Sequence, residues 1–253
     1  MNKLEKEIVE MYRRKSYLFD RCREFCLSQK LPQYGPVSFF NVGDDYGNEE
    51  KDEYKNVFVG KNHWYDFETL KRDCVEFDSP FIFKDCRKDG AKMFKERQRG
   101  YWSGLRKITD ELYPEIKDDT EKILSRIATT NLTKCSTSTD SDDTTPYDLT
   151  DNCVEILKEE IRLLRPKHIV FFTGPVYDKY LGRELFDYMS EDTKHSTKEE
   201  RKKIGKHSVL WWEREFSKGN RKMFVLRTWH PAHHTLDISD FAKKVSNWIK
   251  MTK

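Results

Sequence analysis

The chain has 253 residues, of which 36% are charged and 13% aromatic, and its formal net charge is +3. No run of 18 apolar residues occurs, which excludes a hydrophobic membrane-spanning helix, and the small net charge excludes a uniformly basic nucleic-acid coat. The first residues contain no apolar signal core, which predicts a cytoplasmic protein. We expect residues 1–253 to form a single, monomeric domain with the N-terminal helical segment 1–30 packed on it.

Apolar residues switch between helical and strand spacing along the chain. Residues 1–30 have the spacing of a helix with one apolar face, and Asn56–Gly60 is a short apolar run typical of a buried strand. The elements predicted after it are a helix capped by Ser103, a strand at Ile127–Leu132, a helix capped by Asp151, a strand at His168–Gly174, a hairpin around residues 217–220 with a second arm at Met223–Thr228, and a C-terminal amphipathic helix. This alternation predicts a three-layer α/β/α sandwich with a central, mainly parallel four-stranded sheet.

Polar or aromatic residues follow several of the predicted strands. Because ligands of open α/β sheets bind at the carboxyl ends of the strands, we expect these loops to meet at one site. The loops are 61–65, 131–135, 173–176 and 229–234.

The last of these loops, within "LRTWHPAHHT", contains three of the seven histidines, His230, His233 and His234. A zinc site would need a fourth ligand and suitable geometry, and HPAHH does not match a known zinc spacing. A catalytic histidine or a polar loop that is simply rich in histidine remain the other interpretations.

"VFVGKNHWY" supplies a strand ending in Gly60 followed by Asn62, and "TWHPAHH" supplies His230 before a proline and a small residue. Between them, "TTNLTKC" places Asn131 at a strand end. In this order and at these spacings, the motifs resemble those of the uracil-DNA glycosylase superfamily, and the resemblance covers the chain from Cys22 to its end. The resemblance implies that Asn62 positions the attacking water and that His230 stabilises the negative charge on O2 of the leaving base. An amide cannot accept the proton from water, so Asn62 is predicted to orient the water rather than to act as a base.

The resemblance also implies a pocket for a flipped base. Tyr101 is predicted to stack on the base, with Trp102 as the competing ring, and Asn131 to read its edge. Trp64 lies where a ring excludes substituents at C5, although this unusual loop equally suits a modified base. Each of these residues has an alternative structural role, as a core ring, a strand-end cap or a turn amide. The remaining predicted substrate-binding residues are Gly60, Lys61, Tyr65, His233 and His234.

Four cysteines follow the order found in the iron–sulfur uracil-DNA glycosylases, which this chain resembles most. That order implies a [4Fe–4S] cluster held by Cys22, Cys26, Cys135 and Cys153. The C-x3-C spacing of the first pair departs from the family pattern, and four reduced core cysteines are the alternative. Cys74 and Cys86 match no motif.

These residues together predict a monofunctional DNA glycosylase that acts on uracil or a modified pyrimidine in single- or double-stranded DNA, in repair or in defence against phages. A catalytically silent DNA-binding protein with the same fold is the alternative. A nucleotide-binding protein would need a glycine-rich phosphate loop, which the sequence lacks. The basic runs Lys194–Lys206 and Arg221–Arg227 are expected to contact DNA phosphates.

Overall fold

The computed structural model describes residues 2–31, 41–47, 55–61, 91–92, 94–96, 100–134, 146–192, 196–231, 233 and 236–252. The α-helices in these ranges are α1 (Lys3–Arg14), α2 (Ser16–Ser28), α3 (Tyr101–Leu112), α4 (Thr120–Ser125), α5 (Tyr147–Leu164) and α6 (Ile238–Met251). The strands are β1 (Asn41–Val42), β2 (Asn56–Gly60), β3 (Ile127–Asn131), β4 (His168–Phe171), β5 (Ser196–Ile204), β6 (His207–Lys218) and β7 (Arg221–Arg227). Short 3-10 helices cover Pro114–Ile116, Pro175–Tyr180 and Arg183–Asp192. None of the helices in the described ranges combines the length and the apolar character that a membrane span requires.

The strands form one mixed sheet in the order β1-β3-β2-β4-β7-β6-β5. The prediction of a mainly parallel, four-stranded sheet is wrong, because the sheet has seven strands in the described part of the chain. Strands β3, β2, β4 and β7 are parallel to one another, whereas β1, β6 and β5 add antiparallel pairs at the two edges. The strand missed at the far edge is β5, whose sequence is charged and which pairs with β6 over its whole length.

Helices cover both faces of the sheet, so the α/β class is confirmed and the layers are α/β/α. Side chains of a strand alternate between faces. In β2, Val57 and Val59 join the core beneath α1, α2 and α5, while Phe58 joins the core beneath α3 and α6. All three are fully buried, which explains why this strand is a continuous apolar run.

The helix boundaries differ from prediction at three places. The N-terminal segment is two helices separated at Lys15, rather than one. Ser103 and Asp151 lie inside helices and are not their caps. Helix α3 begins after Gly100, whose φ of 86° favours glycine, and α5 begins after Pro146.

Candidate functional site

The carboxyl ends of β2 and β3 meet at Gly60 and Asn131, which are partners in the parallel register. A Cβ atom on Gly60 would lie 2.5 Å from Asn131 Oδ1 and 3.5 Å from Tyr101 Cε2. The absence of a side chain at Gly60 therefore lets the Asn131 amide and the Tyr101 ring approach the backbone. The next residues continue the pairing, since Thr133 N donates to Lys61 O at 2.7 Å.

The Tyr101 ring links this corner of the sheet to the histidine loop. Tyr101 is in the first turn of α3, and its ring stacks on His230 with 5.8 Å between centroids and an angle of 27°. Its hydroxyl donates to Phe58 O at 3.4 Å. Burial raises the pKa of Tyr101 well above its usual range, so its phenol stays neutral. Trp102, the competing ring, is buried and contacts Phe94 edge to face.

The histidine loop is fixed by a turn and by contact with α3. His233 N donates to His230 O at 3.0 Å, which closes the turn. Pro231 packs so tightly on Gly104 that a Cβ atom there would lie 2.3 Å from Pro231 Cβ. The His233 ring lies 4.3 Å from the Trp229 ring. His230 thus has a defined position beside Tyr101, and His234 lies outside the described residues.

Four of the buried side-chain polar atoms that have no hydrogen-bond partner in the described part of the chain lie at the carboxyl ends of three parallel strands. They are Asn131 Nδ2 at the end of β3, Thr173 Oγ1 after β4, and Thr228 Oγ1 and Trp229 Nε1 after β7. A buried polar group without a partner costs about 1–3 kcal/mol, so a ligand that satisfies these atoms would recover that energy. Thr173, Thr228 and Trp229 were not predicted as single site residues, although all three lie at or directly after the carboxyl ends of the predicted strands His168–Gly174 and Met223–Thr228.

The buried polar groups around the backbone of Asn131, by contrast, have hydrogen-bond partners. Lys134 Nζ donates to Asn131 O at 2.6 Å, to Thr130 Oγ1 at 2.5 Å and to Glu160 Oε2 at 2.7 Å. Glu160 also accepts hydrogen bonds from the hydroxyls of Tyr12 and Thr130. This ion pair, 1% and 0% exposed, fixes the chain that carries Asn131 to helices α1 and α5. The burial of Lys134 was not predicted, because lysine is rarely buried unless it is paired and its partner Glu160 is distant in the sequence.

Three of the four predicted cluster ligands are buried thiols. Cys22 and Cys26 lie on α2 and Cys153 on α5, all in the core on one face of the sheet. Burial raises the pKa of Cys26. Within the described ranges, no three Cys, His, Asp or Glu side chains are placed to hold a metal ion, and Cys135 lies outside those ranges. The described residues therefore do not by themselves form the predicted ligand set.

The predicted residues Asn62, Trp64 and Tyr65 also lie outside the described residues. Lys61, which precedes them, is half-buried, and its Nζ lies 5.9 Å from the centroid of the Tyr177 ring. The structure thus brings together Gly60, Tyr101, Asn131 and His230, and places the chain that leads to Asn62 at the same edge. Comparisons with models of protein families, with curated protein sequences and with solved structures find no match to this chain.

Proposed function

We propose that this chain is a monofunctional DNA glycosylase that hydrolyses the N-glycosidic bond of uracil or a modified pyrimidine and leaves an abasic site. The observation that carries the proposal is the position of the Tyr101 ring, which lies against His230 and close to the Gly60–Asn131 corner. Segments far apart in the sequence thereby contribute a ring, an amide and an imidazole to one edge of the sheet, and this arrangement supports the proposal.

His230 and Asn62 have the chemical roles that such hydrolysis needs. As the C–N bond breaks, the sugar gains positive charge and O2 of the base gains negative charge. A donor placed at that oxygen, here His230, contributes about 3–4 kcal/mol to the transition state, or a factor of about 10²–10³ in rate. Asn62 would hold a water molecule beneath C1′ through its amide oxygen.

Asn131 and Tyr101 would recognise the base after it has been flipped out of the stack. Flipping costs a few kcal/mol, which base contacts must offset. The buried Nδ2 of Asn131 has no partner in the described structure, so a base carbonyl oxygen is the acceptor that would satisfy it. The neutral Tyr101 ring would supply an apolar surface for stacking.

The basic hairpin formed by β5 and β6 projects beyond the edge of the sheet where the candidate site lies, and it would bind the DNA backbone. The last β6–β7 pair is Trp212 with Arg227, whereas the β5–β6 pairing continues to Ile204 with His207. The hairpin arm, residues 200–211, therefore extends about 16 Å past the carboxyl end of β7, at about 3.3 Å per residue. Gly205 N anchors its tip by donating to Asp240 Oδ2 at 2.8 Å.

The arm carries exposed cations at Arg201, Lys203 and Lys206. Arg201 and Lys203 are two residues apart in β5 and project from one face. The second basic run in the sequence is placed differently. Arg227 is fully buried and donates to Asp178 Oδ2 at 2.7 Å, and Arg221 lies at the opposite edge of the sheet. Only the first run is therefore proposed to contact phosphates beside the site.

The [4Fe–4S] cluster on Cys22, Cys26, Cys135 and Cys153 remains a further proposal. Three of these thiols lie in one core, which supports a structural rather than a chemical role. When bound, such a cluster would tie α2 to α5 and to the loop after β3. Repair of deaminated DNA and defence against phages with modified DNA are the two biological roles that we propose for the excision.

Single-turnover base release tests the chemistry. The substrates are single- and double-stranded oligonucleotides that contain uracil, a hydroxymethylated pyrimidine or a glucosylated pyrimidine. We expect an abasic site that breaks only after treatment with alkali. His230→Ala and Asn62→Ala should each slow the chemical step by about 10²–10³ with little loss of DNA binding. Asn62→Asp should retain or raise the rate, because a carboxylate can accept a proton and stabilises the cationic sugar.

His233→Ala is the matched control from the same loop, because His233 contacts Trp229 rather than Tyr101. We expect it to affect DNA affinity more than the rate of the chemical step. Unchanged rates in both the His230 and the Asn62 alanine variants would refute the site. DNA binding without release of any tested base would favour the catalytically silent alternative.

The salt dependence of DNA binding tests the arm separately. In a plot of the logarithm of the DNA association constant against the logarithm of the salt concentration, the slope should fall in magnitude by about 0.9 for each phosphate contact that Arg201→Ala or Lys203→Ala removes. Lys218→Ala is the control, because Lys218 is an exposed cation of the same hairpin at its opposite end. Equal effects of all three variants would show that the arm has no particular role.

A further inference from the structure

A basic cleft lies at the amino edge of the sheet, opposite the candidate active site. Its volume is about 520 Å³, within the range of about 300–1,000 Å³ that is usual for small-molecule sites. No acidic residue is among the described residues that line it, which are Lys55, Arg165, Pro166, Lys167, Asn220, Arg221 and Lys222.

The fold brings these residues together from three distant segments. Lys55 precedes β2 and Lys167 precedes β4, and Lys167 N donates to Lys55 O at 2.9 Å. Phe224 N of β7 donates in turn to Lys167 O at 2.7 Å, which places the start of β7 alongside. Because adjacent strands are about 4.8 Å apart, lysine and arginine side chains crowd at this edge.

Such crowding is unfavourable unless negative charge compensates it. Lys222 has a partner of its own, since its Nζ lies 2.9 Å from Glu215 Oε1. Arg221 differs, because its Nη2 is buried and has no hydrogen-bond partner in the described structure. Its guanidinium carbon lies 5.5 Å from the centroid of the Tyr188 ring, which holds the group in place. Arg221, one of the residues that line the cleft, therefore holds one buried guanidinium nitrogen that has no hydrogen-bond partner in the described structure.

We propose that this cleft binds the phosphate groups of a nucleotide-sized molecule through side chains rather than through a glycine-rich backbone loop, with Arg221 and Lys167 as the main contacts. A phosphate oxygen would accept from the unsatisfied Nη2, and its charge would offset the repulsion among the cations. The cleft and the proposed glycosylase site lie at opposite ends of the parallel strands, and these ends are about 17 Å apart for a five-residue strand. The proposal therefore does not depend on base excision.

Calorimetric titration of the whole protein with pyrophosphate, at fixed ionic strength, tests the proposal. ATP and a single-stranded oligonucleotide are titrated in parallel. We expect pyrophosphate and ATP to bind, and Arg221→Met and Lys167→Met each to weaken binding by about tenfold, the effect of one charge-assisted hydrogen bond. Lys218→Met is the matched control and should change the affinity less than about twofold, because Lys218 is an exposed cation of the same hairpin and is not among the residues that line the cleft. Thermal unfolding without ligand shows whether each variant is folded. If Arg221→Met does not fold, Lys167→Met alone still tests the proposal.

Three outcomes would overturn the proposal. The first is no binding of pyrophosphate or ATP, as expected if the acidic residues that precede Lys55 in the sequence neutralise the cleft. The second is an equal loss in all three variants, which would indicate a general charge effect. The third is binding of the oligonucleotide alone, which would assign the cleft to a nucleic-acid surface.

Discussion

Removal of the Lys134 charge should destabilise the protein strongly. Lys134 and Glu160 are 1% and 0% exposed, and their charged atoms are 2.7 Å apart. Lys134→Met would leave the Glu160 carboxylate buried with only the Tyr12 and Thr130 hydroxyls as donors. Breaking a buried pair in this way costs about 3–5 kcal/mol, and Glu160→Leu should cost a similar amount.

The double variant Lys134→Met/Glu160→Leu should be more stable than either single variant. It contains no uncompensated charge, and its remaining cost comes from Tyr12, Thr130 and the Asn131 carbonyl, which lose partners. We expect that cost to be about 1–3 kcal/mol. The two substitutions should therefore be strongly non-additive, with a coupling energy of at least about 3 kcal/mol.

Urea unfolding monitored by tryptophan fluorescence measures these free energies. Lys15→Met is a matched control, because Lys15 pairs at 3.6 Å with Glu159, the neighbour of Glu160, and both side chains are partly exposed. A surface pair of this kind contributes about 0–1 kcal/mol. Additive single effects, or single variants within about 1 kcal/mol of the parent protein, would refute the buried network.

Three further variants test other parts of the structure. Burial lowers the pKa of His168 from 6.5 to about 4. The free energy of unfolding should therefore decrease by about 3 kcal/mol as the pH falls from 6.5 to 4. Unfolding measured as a function of pH should show a smaller decrease for His168→Gln. Gly60→Ala should lower the free energy of unfolding in urea by about 1–3 kcal/mol, and it should slow base release because the new Cβ atom displaces Asn131. Gly182→Ala is the control and should have neither effect, because a Cβ atom at Gly182 would have no atom within 4 Å. Anaerobically purified protein should contain about four irons per chain, and Cys135→Ser should lose iron and stability together; a folded, iron-free parent protein would contradict the cluster.

The buried strands were predictable because burial on both faces requires continuous apolar sequence. Asn56–Gly60 was predicted with its observed bounds. Strand β5 was not, because Ser196–Ile204 is polar and its strand conformation depends on pairing with β6, a non-local interaction. The starts of α3 and α5 were also misplaced. Side chains able to cap, at Ser103 and Asp151, were preferred to the Gly100 and Pro146 breaks that set the boundaries.

The position of the candidate site was predictable from topology, but its internal contacts were not. Parallel strands end at one edge, so polar residues after β2, β3 and β7 had to lie close together. The stacking of Tyr101 on His230 depends on how α3 packs on the histidine loop. That packing depends in turn on Gly104 against Pro231, two residues that are more than one hundred positions apart, and Gly104 matches no motif. Sequence patterns identify strand ends, whereas side-chain contacts of this kind require the folded chain.

Asn131 combines a fixed backbone with an unsatisfied side chain. Its carbonyl oxygen accepts from Lys134, which Glu160 holds in turn, so the backbone is restrained by a buried ion pair. Its Nδ2 has no partner in the described structure, and its amide oxygen faces Gly60. A residue with only a structural role would gain stability by satisfying that donor, at about 1 kcal/mol for a typical hydrogen bond. A donor that is held rigidly and left unsatisfied is instead suited to an acceptor that arrives from outside the chain, since rigid placement reduces the entropy lost on binding.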